Sequence, residues 1–225
     1  MDTEKHAVTL SPLEARILGS LIEKELTTPE YYPLTLNALL AACNQKNNRE
    51  PVLTLDGETL ERGIYSLQEK HLLESFAGAN ARTLKYRERL LSLLALTPNE
   101  RAVLCELLLR GPQTVGELRA RAARMHPFAT PEEVSATLGC LADRESGPLV
   151  AELPRQAGHK ETRFAHLLGD EPPSLEAVSA EIPPTSAAIR GEASRLIELE
   201  NRVTTLEAEV AELKTLLQTF RAQFE

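Results

Sequence analysis

The chain has 225 residues, of which 42% are hydrophobic, 26% charged and 4% aromatic, with a net charge of −8 and no Trp. Such a chain supports more than one small core built on Leu, Ile, Val and Ala. Its most apolar run, Leu90 to Leu96, is far too short to span a membrane. The charge is uneven: residues 1–95 carry 11 Lys/Arg against 13 Asp/Glu, residues 96–168 carry 9 of each, and residues 169–225 carry 5 against 11. Most of the acid excess therefore lies in the tail, and the front segments permit a local basic face.

Met1-Asp2-Thr3-Glu4-Lys5 lacks the basic head and apolar body of a signal peptide, so a cytoplasmic location is expected. Cys43, Cys105 and Cys140 are odd in number, widely spaced and each inside a predicted helix, which fits reduced, buried thiols. Ser11, Pro12 and Glu14 make a helix start with a capping box, and Leu13, Ile17, Leu21 and Ile22 continue as an apolar stripe. Pro29 and Pro33 break the chain before a second helix from about Thr35 to Cys43. A polar loop follows, Asn44 to Pro51, and then a third helix over roughly Asp56 to His71, with Asp56 as N-cap and Leu60, Ile64 and Leu67 on its apolar face. Leu72 to Phe76 and Thr83 to Arg87 read as two strands around the turn Ala77-Gly78-Ala79-Asn80.

The same order then recurs. Leu96-Thr97-Pro98-Asn99-Glu100 repeats the first helix start, and Pro112 to Leu118 echoes Pro33 to Leu39. Thr130-Pro131-Glu132-Glu133 has the pattern of a third capping box, ahead of Val134, Leu138 and Leu141. Leu149 to Arg155 and Thr162 to Leu168 flank a second turn, Gln156-Ala157-Gly158-His159. Three helices and a hairpin, in that order, are the plan of a winged helix. The expected architecture is therefore mostly α: one winged-helix domain over residues 8–92 and a second over 93–168. A Pro-containing linker over 169–185 and a coiled-coil helix over 186–225 complete it.

Ile189, Leu196, Val203, Val210, Leu217 and Phe224 recur every seven residues in that last segment, with Leu199, Leu206, Leu213 and Phe220 at the second heptad position. Leu196, Leu199, Val203, Leu206, Val210, Leu213, Leu217 and Phe220 are the expected dimerisation seam. The flanking pairs Arg195 with Glu200, Arg202 with Glu207, and Glu209 with Lys214 favour a parallel homodimer. A helix folded back on its own domains has the same periodicity and stays open.

The stretches Leu10 to Glu14, Asn48-Arg49-Glu50-Pro51-Val52, Lys85-Tyr86-Arg87 and Phe164-Ala165-His166-Leu167-Leu168 together resemble the YceH family of uncharacterised bacterial proteins. The resemblance implies tandem winged helices in a bacterial cytoplasm and brings no catalytic residues with it.

No phosphate-cradling loop, dinucleotide fingerprint or Gly-x-Ser-x-Gly elbow is present, and the five histidines never pair at i, i+4. A non-enzymatic protein without cofactor or metal is expected. The leading function is binding of double-stranded DNA, with backbone contacts from Lys46 and Arg49 on the loop and Arg82, Lys85, Arg87 and Arg89 on the first wing. Alternation along the wing sends Lys85, Arg87 and Arg89 to one face. Against it stand Asp56, Glu58 and Glu61 on the third helix and Glu132 and Glu133 in the second copy, which repel phosphate. The alternative is a scaffold whose winged helices bind a partner protein. Arg119, Arg121 and Arg124 on the second copy read as a solubilising face.

Overall fold

The computed structural model describes residues 8–77, 83–155 and 161–169, all within one compact unit. Residues 78–82 of the first hairpin, Arg82 among them, residues 156–160 of the second, the linker beyond Gly169 and the whole heptad segment lie outside the described residues. The described chain is mostly helical, with small antiparallel sheets.

Ser11 caps the first helix, α1 (Pro12–Thr27), and the capping box is complete: the Ser11 amide donates to the Glu14 carboxylate at 2.7 Å, and Ser11 Oγ accepts from the Glu14 amide. A single 3-10 turn (Pro29–Tyr31) leads into β1 (Leu34–Thr35), and Thr35 caps α2 (Leu36–Cys43). Asp56 caps α3 (Gly57–Glu69), which stops two residues short of His71. His71 itself takes a positive φ of 58°. β2 (Leu73–Phe76) and β3 (Lys85–Glu88) pair antiparallel, and β1 adds to the other side of β3, so the sheet has three strands in the order β1-β3-β2. The chain then makes a short helix, α4 (Leu90–Leu93).

The second half repeats this order. It runs α5 (Pro98–Arg110), α6 (Val115–Ala122), α7 (Pro131–Ala142), β4 (Val150–Glu152) and β5 (Phe164–His166). Gln113 bridges to Phe164 of β5 as Leu34 pairs with Tyr86 of β3, at matching places in the two copies. The third capping box is only half formed. Thr130 Oγ1 accepts from the Glu133 amide, but the Glu133 carboxylate reaches back one residue further and takes the Ala129 amide at 2.8 Å.

Both halves share one hydrophobic core, with α1 at its centre against α2, α3 and α5. Every residue from Glu14 to Glu23 is buried, the polar ones included. A helix enclosed on all sides must find partners for its polar groups, because an unpaired buried charge is strongly unfavourable. α1 and α5 pack closely at Gly19, where an added Cβ would lie 2.8 Å from Leu109 Cδ2 and 3.2 Å from Leu108 Cβ. Cys105 Sγ donates to the Gly19 carbonyl at 3.4 Å across the same contact. Gly19 and Cys105 hold equivalent places in the two copies, eight residues beyond the caps Ser11 and Thr97, so the helices cross at matching points. The thiols divide: Cys43 and Cys105 are buried, whereas Cys140 is exposed on α7 and corrects the expectation of three buried thiols. Burial pushes the Cys43 and Cys105 pKa values up, so both stay protonated.

Two glycine substitutions with opposite outcomes test this packing. Gly19→Val wedges the α1–α5 contact and is expected to destabilise by ~1–3 kcal/mol. At Gly139 in α7 nothing lies within 4 Å of an added Cβ, so Gly139→Ala is expected to stabilise by ~0.5–1 kcal/mol through chain entropy. Thermal melts of the two variants check the pair of signs.

Candidate functional site

The loop from Asn44 to Asp56 and the hairpin β2–β3 carry the cations that sequence reasoning assigned to nucleic acid. Lys46 is exposed on the loop. Three residues on, Arg49 is not: it is 2% exposed, and its side chain points into the protein. Asn48 turns the chain with φ 62°, a conformation asparagine tolerates better than most residues. Arg49 then forks onto the Glu23 carboxylate of α1, Nη1 to Oε1 at 3.1 Å and Nη2 to Oε2 at 2.5 Å. Its remaining donors go to the carbonyls of Ala42 and Asn48. With its donors taken and its guanidinium out of water, Arg49 has nothing to offer a phosphate. Its assignment as a backbone contact is corrected on that ground.

Arg124 is the second surprise. It follows the end of α6 rather than lying on it, and it is not a solubilising group. One guanidinium nitrogen meets Glu23 and the other donates to Glu106 of α5 at 2.6 Å. Arg110 lies 3.2 Å from the other Glu106 oxygen and donates to Asn48 Oδ1 at 2.6 Å. The Glu50 amide donates to the Leu109 carbonyl at 3.0 Å. Glu23, Arg49, Glu106, Arg110 and Arg124 thus form one network, buried at Glu23, Arg49 and Glu106 and reaching the surface at Arg124, that joins the first half's loop to the second half's helices. Burial pushes the Glu23 carboxyl upward, but the hydrogen bond and charge of Arg49, with Arg124, hold it below the ordinary carboxylate range. Arg16 also serves the loop, donating to the Cys43 and Pro51 carbonyls, and burial beside Arg49 lowers its pKa to about 10. Arg119 and Arg121 are structural as well: Arg119 donates to the Phe128 and Ala129 carbonyls, and Arg121 to Gln113 Oε1.

On the hairpin, strand alternation holds. Tyr86 and Glu88 face the core, and Lys85, Arg87 and Arg89 face outward. Their charge is largely answered in place. Glu74, opposite Arg87 in the sheet, pairs with Arg87 at 2.6 Å and with Arg89 at 3.2 Å. Arg87 also sits over the Phe76 ring, 5.8 Å from its centroid. The structure therefore brings Lys85, Arg87 and Arg89 together, sets Lys46 on the loop and withdraws Arg49.

Sequence reasoning missed a cleft of about 550 Å³ beside the hairpin, lined in part by Glu25, Tyr32, Glu88, Arg89 and Arg101. Tyr32 Oη accepts from the Glu88 amide at 2.8 Å, and Glu88 Oε2 accepts from the Leu91 amide at 2.9 Å. Burial, reinforced by the nearby Glu25 carboxylate, pushes the Glu88 pKa up to about 7 against the pull of the Leu91 amide. The only sequence trace of this pair was an acid at an inward strand position. Among the described residues, no group of three His, Cys, Asp or Glu is placed to hold a metal.

Two measurements check these arrangements. Glu23→Gln leaves the buried Arg49 guanidinium with a neutral partner, while Arg124 keeps Glu106, and a loss of ~3–5 kcal/mol in urea unfolding is expected. Glu88 acts in the opposite sense. Between its ordinary value of 4.5 and about 7 the folded protein holds a proton that the unfolded chain has released, so this group's stability contribution falls as pH rises across that window. Glu88→Gln mimics the protonated form and is expected to recover up to ~3 kcal/mol at pH 8 and little at pH 5, read from melts at the two pH values.

Comparison with known proteins covers most of the chain. A family model described as "Protein of unknown function, DUF480" matches residues 10–159. A UPF0502 protein of Geobacter sulfurreducens is 51% identical over 220 residues, covering 97% of this chain and 99% of its own. A UPF0502 protein of Geotalea uraniireducens is 52% identical over 220 residues, covering 96% and 98%. One from Vibrio atlanticus is 44% identical over 214 residues, covering 93% and 97%. With half its residues shared with such relatives along nearly its whole length, the chain belongs to the YceH (UPF0502) family of uncharacterised bacterial proteins.

Proposed function

We propose that this protein is a non-enzymatic docking protein. In this reading two winged-helix modules, residues 8–92 and 93–168, share one core and bind a partner protein rather than duplex DNA. The heptad segment 186–225 pairs two copies, which doubles the docking sites through effective concentration. The observation that carries the choice is the fate of Arg49, the cation placed best for a phosphate ahead of α3. Its charge is spent inside the molecule on Glu23. Arg87 and Arg89 share Glu74, so the hairpin presents a compensated surface. Of the candidate cations on described residues, Lys46 and Lys85 take part in no ion pair among the described residues. Few phosphates would be neutralised by so small a set, and affinity for DNA depends on that number. The start of α3, the end that enters the major groove in DNA-binding winged helices, carries Asp56, Glu58 and Glu61.

The test uses the full-length protein with labelled random duplex at low salt. No change in fluorescence anisotropy is expected, and proteins captured from lysate should remain after nuclease treatment. Salt-sensitive duplex binding that Lys46→Glu with Lys85→Glu removes would restore the DNA reading.

A further inference from the structure

The cleft beside the hairpin is lined by opposite charges that do not answer one another. Glu25 reaches it from the last turn of α1 and Tyr32 from the end of the 3-10 turn, Glu74 and Glu88 from β2 and β3, and Arg101 from near the start of α5. Its walls therefore come from both halves of the fold, and its volume of about 550 Å³ is that of a small-molecule site. Part of the charge is spent, since Glu74 holds Arg87 and Arg89. Glu25 and Arg101 take part in no ion pair among the described residues. Glu25 Oε2 is buried and has no hydrogen-bond partner, which is unfavourable for a carboxylate oxygen. Arg101 Nε donates to the Leu96 carbonyl at 2.8 Å, and no hydrogen bond among the described residues uses its other two nitrogens. A guanidinium left in that state is a ready partner for a carboxylate. Glu88 lies beside Glu25, is only 8% exposed and keeps its proton up to about pH 7. Two carboxyl groups so placed ionise together only when a cation joins them. Tyr32 brings no charge, because burial, with Glu25 beside it, holds its phenol far above the ordinary pKa.

We propose that this cleft binds a small zwitterion of the amino-acid class, with its ammonium group against Glu25 and Glu88 and its carboxylate on Arg101. Charge complementarity selects that ligand. A plain anion answers Arg101 and leaves the Glu25 oxygen without a donor. A plain cation answers Glu25 and leaves the guanidinium of Arg101 unpaired beside it. Pro33 and Leu91 complete the lining and offer an apolar wall to the ligand's side chain. As the ammonium docks, Glu88 gives up its proton to solvent, and the pair of carboxylates shares the new cation. The ligand thereby ties the first hairpin to the second half's first helix. This site is separate from the docking reading above and does not depend on it.

The experiment titrates the full chain calorimetrically with each standard L-amino acid, and with β-alanine and γ-aminobutyrate, whose charges are further apart. At least one is expected to bind with a dissociation constant of about 1 mM or tighter. The same molecule without its carboxylate, and the same molecule without its ammonium, should each bind at least about tenfold more weakly. Arg101→Gln and Glu25→Gln should each cost about tenfold as well, with circular dichroism to establish that both variants are folded. Titrations at about pH 6 in two buffers of different ionisation enthalpy should show a proton released on binding, and the release should vanish at about pH 8 and in Glu88→Gln. Absence of any binder overturns the proposal. So does a truncated amine or acid that binds as tightly as the zwitterion, a comparison made on the unaltered protein and independent of whether the variants fold. Binding that folded Arg101→Gln and Glu25→Gln leave unchanged, or that releases no proton at about pH 6, places the ligand elsewhere and overturns it too.

Discussion

The Glu23 carboxylate is the point on which the described structure depends. It sits on the central helix, 1% exposed, and meets Arg49 from one half and Arg124 from the other. A carboxylate so far from water is tolerated only when paired and hydrogen-bonded, and an arginine beside it is under the same constraint. Each group therefore fixes the others. Arg49 must stay folded inward, so the loop from Asn44 to Asp56 cannot swing out. Arg124 must bridge Glu23 to Glu106, so the turn after α6 is pinned to α1 and α5 together. Buried ion pairs of this kind do little for net stability compared with an apolar core of equal volume. What they specify is geometry, because a misplaced loop strands several charges at once.

That constraint changes what the repeated architecture means. Two copies of one helix-and-hairpin order need not touch. Here they cross at Gly19 and Cys105, matching positions of matching helices, and share one core. The ionic network lies beside that crossing, and the loop of the first half is held by it. The Asn48-Arg49-Glu50-Pro51 string is thus explained by internal bonding: Asn48 receives Arg110, Arg49 takes Glu23, the Glu50 amide meets Leu109 and the Pro51 carbonyl accepts from Arg16.

The surface that remains follows from this accounting of charges. Arginines that looked available from the sequence are committed, Arg49 to the interior, Arg124 to Glu23 and Glu106, and Arg87 and Arg89 to Glu74. Carboxylates that looked like helix-start chemistry divide. Asp56 does cap α3, while Glu58, Glu61 and Glu69 stand in water around Tyr65.

The sequence by itself determined the elements and their order. Caps, prolines and apolar periodicity are local: Ser11 with Glu14, Thr35, Asp56 and Thr97 with Glu100 satisfy amides three residues away, so no distant contact is needed to read them. Strand alternation on β3 was legible for the same reason. The two-residue strand β1 and the one-turn helix α4 were not, since so few residues carry no period. Nor could local pattern tell which charges face water. Arg49 and Lys46 lie three residues apart in one polar loop, and only a carboxylate 26 positions earlier makes one of them a core residue. Tertiary structure alone decided the fates of Arg49, Arg124 and Glu88, because burial and ion pairing depend on groups that meet only when distant segments pack.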